Sequence, residues 1–351
     1  MIQSLWAKTC AQNAGIQSWH PLVLHVLDVA ATADAILQRE PESTRNRLAQ
    51  TLGLDWRKAR PWLLLLVSCH DLGKACPGFQ CKWQNISGLD AGPSPDTTIN
   101  HAFVSQLELR DMLVETGWPE ALADLAADAV GCHHGERAKP TTLAALEGNR
   151  RALGKSQWHE ARRAIFDALL QVFAPTEPPT KPTLTGPDFM LIAGLTSFAD
   201  WIGSIEMHFP FGESEDCGDL SRWFQTRRDH HAEAALNTTG WMPRLPLVAS
   251  YSAFGEVFGF PARPLQQAVV EALPNIWQPA ITVCRTAHQG DGQRHVPATA
   301  QVPTQSELRA PDRPAIAARP RCGSVSRRPW RWPCLCAPPG AGPPQLMRVW
   351  A

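Results

Sequence analysis

Apolar runs with helical spacing alternate along the chain with polar stretches rich in turn residues. From Pro21 to Gln38 (PLVLHVLDVAATADAILQ) apolar residues recur every three or four positions, with no breaker after an opening proline that suits a first helical turn. A helix is predicted there. A second is predicted over Arg60–Lys74 (RPWLLLLVSCHDLGK), which also opens on proline and runs apolar to Gly73, a suitable stop. Cys81–Asn100, rich in Gly, Pro, Ser and Asp, reads as a surface loop. Helical spacing resumes over His101–Glu115, Pro119–Cys132 and Gln157–Phe173 with almost no strand-like alternation, so the predicted class is mainly α. A proline-laden linker, Ala174–Pro187, then precedes one more long apolar helix, Asp188–Met207, which sets Asp200 among residues expected to be buried.

Past Pro210 the pattern changes. Pro210–Pro246 is polar and aromatic, Leu247–Leu273 begins a new apolar unit, and a short strand is predicted at Ala280–Cys284. Arg285–Ala351 carries ten arginines, eleven prolines and no lysine, phenylalanine, tyrosine or asparagine. Such a segment cannot build an amphipathic helix or strand and is expected to be disordered. Its bias fits either a natural basic tail or a GC-rich gene read out of frame. The expected organisation is a helical bundle over 1–209, a connecting segment over 210–246, a further apolar unit over 247–283 and a disordered tail over 284–351.

Composition narrows the function classes. The formal net charge is zero over 351 residues, so no global basic surface advertises a polyanion and any nucleic-acid contact must be local. The N-terminus, MIQSLWAKTCAQ, lacks a charged segment followed by an apolar run, and no stretch of eighteen apolar residues occurs, so a cytoplasmic chain without membrane contact is expected. Ten scattered cysteines fit reduced thiols, and neither Cys76/Cys81 nor Cys334/Cys336 has zinc-knuckle spacing. Twelve histidines against one tyrosine point to where the chemistry lies.

The candidate constellation is His25, His70, Asp71, His101, His133, His134 and Asp200, all on or beside predicted helices. Imidazoles with carboxylates suit first-row transition metals such as iron, manganese, cobalt and nickel. If Asp71 bridges, one ion takes His25, His70, Asp71 and Asp200, and a second takes Asp71, His101, His133 and His134. Two ions about 3.5–4 Å apart clamp the attacking and leaving oxygens of a phosphoryl displacement. Each residue has a plainer reading. A lone His25 on an apolar helix is more often a hydrogen-bonded core histidine, and Asp28 one turn later reads as a solvated or capping acid. His70–Asp71 ending an apolar run, His133–His134 before Gly135, and Asp200 within LTSFADWIGS are harder to explain without a partner or a metal. His230–His231 sits among charges and reads as solvated, and His20, His159, His208, His288 and His295 show no partner in the sequence. Arg150, Arg151, Arg162 and Arg163 read as decorating solvated helices. GNRRALGKS (Gly148–Ser156) is rejected as a phosphate-binding loop, because five residues separate its glycines and no strand is predicted before it.

The order of these pieces resembles the HD metal-dependent phosphohydrolase superfamily. More narrowly, HPLVLHVLDVAATA (His20–Ala33), CHDLGKACPGFQ (Cys69–Gln80), NHAFVSQ (Asn100–Gln106), GCHHG (Gly131–Gly135) and ADWIGS (Ala199–Ser204) resemble the HD domain of the CRISPR-associated helicase-nuclease of type I interference systems, over residues 1–283. The resemblance implies an HD-type helical bundle over 1–209 and one or two divalent transition-metal ions on the seven residues named. Lys74 is implied to steer or neutralise a phosphate, its plainer role being a lysine answering a helix dipole, and Ser204 is implied to support the site by hydrogen bonding. Asp71 and Lys74 are the implied catalytic pair. Cleavage of single-stranded DNA opened by a guide-RNA surveillance complex of the Cascade type is implied, with metal-activated water attacking phosphorus. FGFPARPLQQ (Phe258–Gln267) resembles the adenine-sensing opening of a RecA-like helicase lobe, so 247–283 is expected to be its truncated start. No G-x-x-x-x-G-K-[ST] occurs in the chain, and no ATP site is expected; a separate helicase chain is a candidate partner. Two alternatives stay open: an HD phosphohydrolase acting on nucleotides, and an inactive remnant or interaction module.

Overall fold

The computed structural model describes residues 2–11, 17–83, 87–243, 261–264 and 266–268. By internal contacts the chain forms two units, Met1–Tyr251 and Ser252–Ala351. Of the second unit the description covers a short helical stretch about Pro264–Ala268, where Gln266 Oε1 accepts from the Arg263 backbone N–H at 2.9 Å. The rest of the expected RecA-like segment, the strand at Ala280–Cys284 and the tail from 284 lie outside the described residues.

The first unit is the mainly helical bundle expected, with one correction at its start. Strands β1 (Trp6–Ala11) and β2 (Gln17–Pro21) form an antiparallel hairpin that the helical pattern gave no sign of, pairing Lys8 with His20 and Thr9 with Trp19. The hairpin hands directly into α1 (Leu22–Arg39), whose Leu22 N–H reaches the Leu5 carbonyl at 2.7 Å. Apart from Gln38, every residue of α1 is buried, so this helix is the axis of the bundle. A central helix must bury polar groups only with partners. Thr32 Oγ1 donates to the Asp28 carbonyl at 2.9 Å, and Arg60 Nε donates to Asp34 at 2.7 Å.

Next come α2 (Glu42–Thr51) and α3 (Trp56–Ser68). The predicted start at Arg60 is corrected: Asp55 caps the helix five residues earlier by accepting from the Lys58 N–H at 3.1 Å, and Pro61 is interior. Proline there removes the bond to the carbonyl of Arg57, an exposed residue where water can take its place. The apolar run does not remain α-helical to Gly73. At Cys69 it tightens into a 3₁₀ turn, Cys69–Lys74, packed under the first turns of α5 (His101–Glu115). A four-residue helix, α4 (Pro77–Gln80), and the expected loop separate the two.

Helices α6 (Glu120–Gly131), α7 (Pro140–Glu147), α8 (Arg150–Leu153) and α9 (Ser156–Phe173) follow, and α10 (Gly186–Gly203) lies against α1. The α10 boundary moves upstream of the predicted Asp188, because Thr185 and Asp188 form a capping box with Pro187 in the first turn. Segment 210–246 does more than connect. Its α11 (Leu220–Thr226), a π-helical turn (Arg227–Ala232) and α12 (Glu233–Thr238) pack onto α1 within the same unit. Among the described residues no helix is long and apolar enough to cross a membrane.

Candidate metal centre

Five elements bring the seven candidate residues to one place. The axis helix α1 presents His25, the 3₁₀ turn presents His70 and Asp71, and the first residue of α5 presents His101, with Asn100 Oδ1 capping that helix at the Ala102 N–H, 3.0 Å. His133 and His134 follow the end of α6, and Asp200 lies in the last turn of α10. The 3₁₀ turn is the keystone. Its Gly73 N–H donates to Ser105 Oγ at 2.8 Å, drawing the turn against α5.

Asp71 is 2% exposed and its two carboxylate oxygens face opposite ways. Oδ2 lies 3.0 Å from His25 Nε2, 3.3 Å from His70 Nε2 and 2.6 Å from Lys74 Nζ. Oδ1 lies 3.0 Å from His101 Nε2 and 3.6 Å from His133 Nε2. Asp200 Oδ1 is 3.5 Å from His70 Nε2, and His134 Nε2 is 3.1 Å from His101 Nε2. The donors fall into two groups, Asp71, His101, His133 and His134, and His25, His70 and Asp200, each offering ligand atoms within 4.8 Å of one another.

Hydrogen bonding orients the imidazoles. His70 Nδ1 and His133 Nδ1 lie 2.9 and 3.0 Å from the carbonyls of Val67 and Val130, three residues back in each case. A carbonyl cannot donate, so both Nδ1 atoms carry hydrogen, and in the neutral ring Nε2 is a bare lone pair. Those two Nε2 atoms and Asp71 Oδ1 are buried and make no hydrogen bond among the described residues. Lone pairs thus face carboxylate oxygens away from water, an arrangement that needs a cation between them. A divalent transition metal fits that need and the mixed imidazole and carboxylate donors.

The electrostatics agree. Burial lowers the His70 pKa, but Asp71 and Asp200 outweigh it and raise it to about 9, the mark of a site where two carboxylates favour positive charge. Burial alone would raise Asp71; Lys74, His70 and His101 instead hold it well below the usual carboxylate range. Burial, then Lys8, keeps His25 neutral, and burial lowers His101. Burial, with His133 and His101, lowers His134 to about 4. The three most exposed of the seven, His101, His134 and Asp200, mark the open side.

Lys74 is buried, with its Nζ on Asp71 and 3.4 Å from the Ala7 carbonyl, so the charge it answers is a carboxylate and not a helix dipole. Ser204 Oγ donates to Asp200 Oδ1 at 2.9 Å. Several residues were misjudged from sequence. Asp28 is 1% exposed, neither solvated nor capping: it takes His20 Nε2 at 3.0 Å, Trp223 Nε1 at 2.9 Å and Arg227 Nε at 3.2 Å. His20, read as partnerless, also accepts the Gly212 N–H on Nδ1 at 3.0 Å. Arg162 is buried, donating to the Ala75 and Leu153 carbonyls and to Glu108, and His159 meets Glu108 at 2.7 Å. Gly148–Ser156 follows a helix, as its rejection required. Lys8 of β1, half-buried beside the cluster, was missed altogether; no spacing links it to the other residues.

Residues 6–209 match the family model described as Cas3, HD domain. The chain belongs to the Cas3 HD-domain family. Among its relatives, the CRISPR-associated endonuclease/helicase Cas3 of Thermus thermophilus is 34% identical over 289 residues, covering 80% of this chain and 30% of that protein. The protein of the same name from Escherichia coli K12 is 26% identical over 325 residues, covering 82% and 35%. The crystal structure of the Thermus thermophilus Cas3 HD domain in the presence of Ni2+ superposes with a TM-score of 0.53 at 34% identity, over 68% of this chain and 90% of that one. The chain therefore spans about a third of the length of these curated Cas3 relatives. Membership agrees with the resemblance read from the five motifs.

Proposed function

We propose that the chain is a divalent-metal-dependent phosphodiesterase that cuts single-stranded DNA in type I CRISPR interference, on strands opened by a guide-RNA surveillance complex. The observation that carries the reading is the pair of buried Nε2 atoms, of His70 and His133, turned on the two oxygens of Asp71 with no hydrogen bond among the described residues. His25, His70 and Asp200, with Asp71 beside them, would hold one ion, and Asp71, His101, His133 and His134 would hold the other, with manganese, nickel, cobalt or iron as candidates. When bound, such a pair supplies Lewis-acid stabilisation of the attacking and leaving oxygens and lowers the pKa of water.

The protein's own part is orientation and exclusion. The Val67 and Val130 carbonyls fix the His70 and His133 tautomers, and Lys74 keeps Asp71 ionised. Ser204 steadies Asp200 on the open side, where an extended strand can approach. The cutting proposed requires no ATP. The test is cleavage of circular single-stranded DNA by the purified chain with manganese, nickel or cobalt and no nucleotide, beside an Asp71→Ala control. Cutting that vanishes in the control is expected. A folded, metal-loaded protein that leaves the circle intact but hydrolyses nucleotides would replace this reading with a nucleotide phosphohydrolase.

A further inference from the structure

The amino end of the chain forms a wall of the centre, and it is clamped there. Gln80 Nε2 donates to the Trp6 carbonyl at 2.9 Å, its Oε1 accepts the Trp6 N–H at 3.2 Å, and Trp6 Nε1 donates to the Gln80 carbonyl at 3.1 Å. Three hydrogen bonds thus lock β1 to the segment that follows the His70–Asp71 turn, and the Lys74 contact to the Ala7 carbonyl adds a fourth. Next along β1 is Lys8. Its Nζ donates to the Ser204 carbonyl at 3.1 Å, and Ser204 Oγ in turn donates to Asp200.

We propose that Lys8 is a substrate-contacting residue, holding a non-bridging oxygen of a bound phosphate ester over the His25, His70 and Asp200 half of the centre. This rests on the phosphodiesterase reading above. Among the described residues Lys8 uses one of its three N–H donors, on Ser204, which leaves two for an anionic oxygen. Lys74, by contrast, is committed to Asp71 in the depth of the site. Burial, then the neighbouring Lys74, lowers the Lys8 pKa against the opposing pull of Asp200, Asp71 and Asp28. An arriving phosphate anion adds to the favourable side. The division of labour follows from position: Lys74 serves the deep carboxylate, and Lys8, anchored to the rim residue Ser204, serves the ligand.

The test uses Lys8→Gln and Lys8→Arg in the full chain, with Mn2+ binding followed by calorimetry and ligand binding by titration of a short oligo-dT and of dTMP. A charge-assisted hydrogen bond sets the scale of loss at roughly ten- to a hundredfold. Lys8→Gln should bind both phosphate ligands at least tenfold more weakly while still binding Mn2+, and Lys8→Arg should regain most of the affinity. Equal ligand affinity in Lys8→Gln and the parent overturns the proposal, as does a loss confined to Mn2+ binding. If the parent neither binds nor cuts DNA, the nuclease reading fails, and the dTMP arm alone decides Lys8: weaker dTMP binding in Lys8→Gln upholds it and unchanged binding overturns it.

Discussion

Gly73 and His101 are so close that a Cβ added to the glycine would stand 2.0 Å from the His101 carbonyl oxygen. The same Cβ would lie 2.6 Å from the Ser105 nitrogen, so the obstruction is backbone that cannot swing aside. Gly73→Ala must push the 3₁₀ turn off α5, separating Asp71 from His101. Overpacking of this kind costs about 1–3 kcal/mol, and a clash with backbone lies at the upper end. Urea denaturation should show that loss, and calorimetry should show weakened Mn2+ binding although no proposed ligand is altered.

Loaded metal should stabilise the fold, because the five elements that supply donors converge only in the folded state. At a hundredfold excess of free metal over its dissociation constant the gain is about 2.7 kcal/mol. Melting curves with manganese or nickel should rise, and a chelator should reverse the rise. Asp71→Asn should abolish most of the metal-dependent increment and reduce cleavage by more than the ~10–100-fold typical of losing an outer support.

Legibility in the sequence followed how local each signal was. The α5 helix from His101 to Glu115 falls where its spacing predicts, and the seven candidate donors converge, because polar residues ending apolar runs need compensation wherever the chain takes them. The β1–β2 hairpin was hidden, since its short strands carry mixed residues and lean on Gln80, 74 positions from Trp6. Asp28 was misjudged for a related reason: its partners Trp223 and Arg227 lie some two hundred residues away, in a segment whose polarity suggested a mere connector. Lys8 was invisible because a lone lysine acquires meaning only from the Ser204 carbonyl it finds in space.

Asp28 and Arg227 are 1% and 4% exposed, and the guanidinium carbon stacks 3.9 Å from the Trp223 ring centroid. Asp28→Asn strips the counter-charge from a buried cation, a loss of about 3–5 kcal/mol. Replacing both, as Asp28→Asn with Arg227→Met, should cost less than the sum of the single changes, because neither charge is left alone. Denaturant unfolding of the four proteins in the cycle measures the coupling, and additive losses would show that the pair does not act as a unit.

Asp188 supplies the pH dependence that is cleanest to read, far from the donors of the candidate centre. Burial raises its pKa, but Lys181, Thr185 and Arg47 outweigh it, and the folded value lies well below the usual range. Thr185 donates through both its backbone N–H, at 2.9 Å, and its hydroxyl, at 2.6 Å, while Arg47 donates at 2.7 Å. A depressed folded pKa means that the unfolded chain takes up the proton first. The contribution is therefore complete above the ordinary aspartate value of about 3.9 and drains away as pH falls below it. Arg47 is 42% exposed and screened by water, so the contribution is taken as roughly 2 kcal/mol, mostly from the cap and the buried carboxylate hydrogen bonds. Asp188→Asn should be less stable than the parent by that amount at pH 6, and the gap should narrow between pH 4 and pH 3. A gap that stays constant across that interval would mean the carboxylate charge contributes nothing and the loss is one of packing alone.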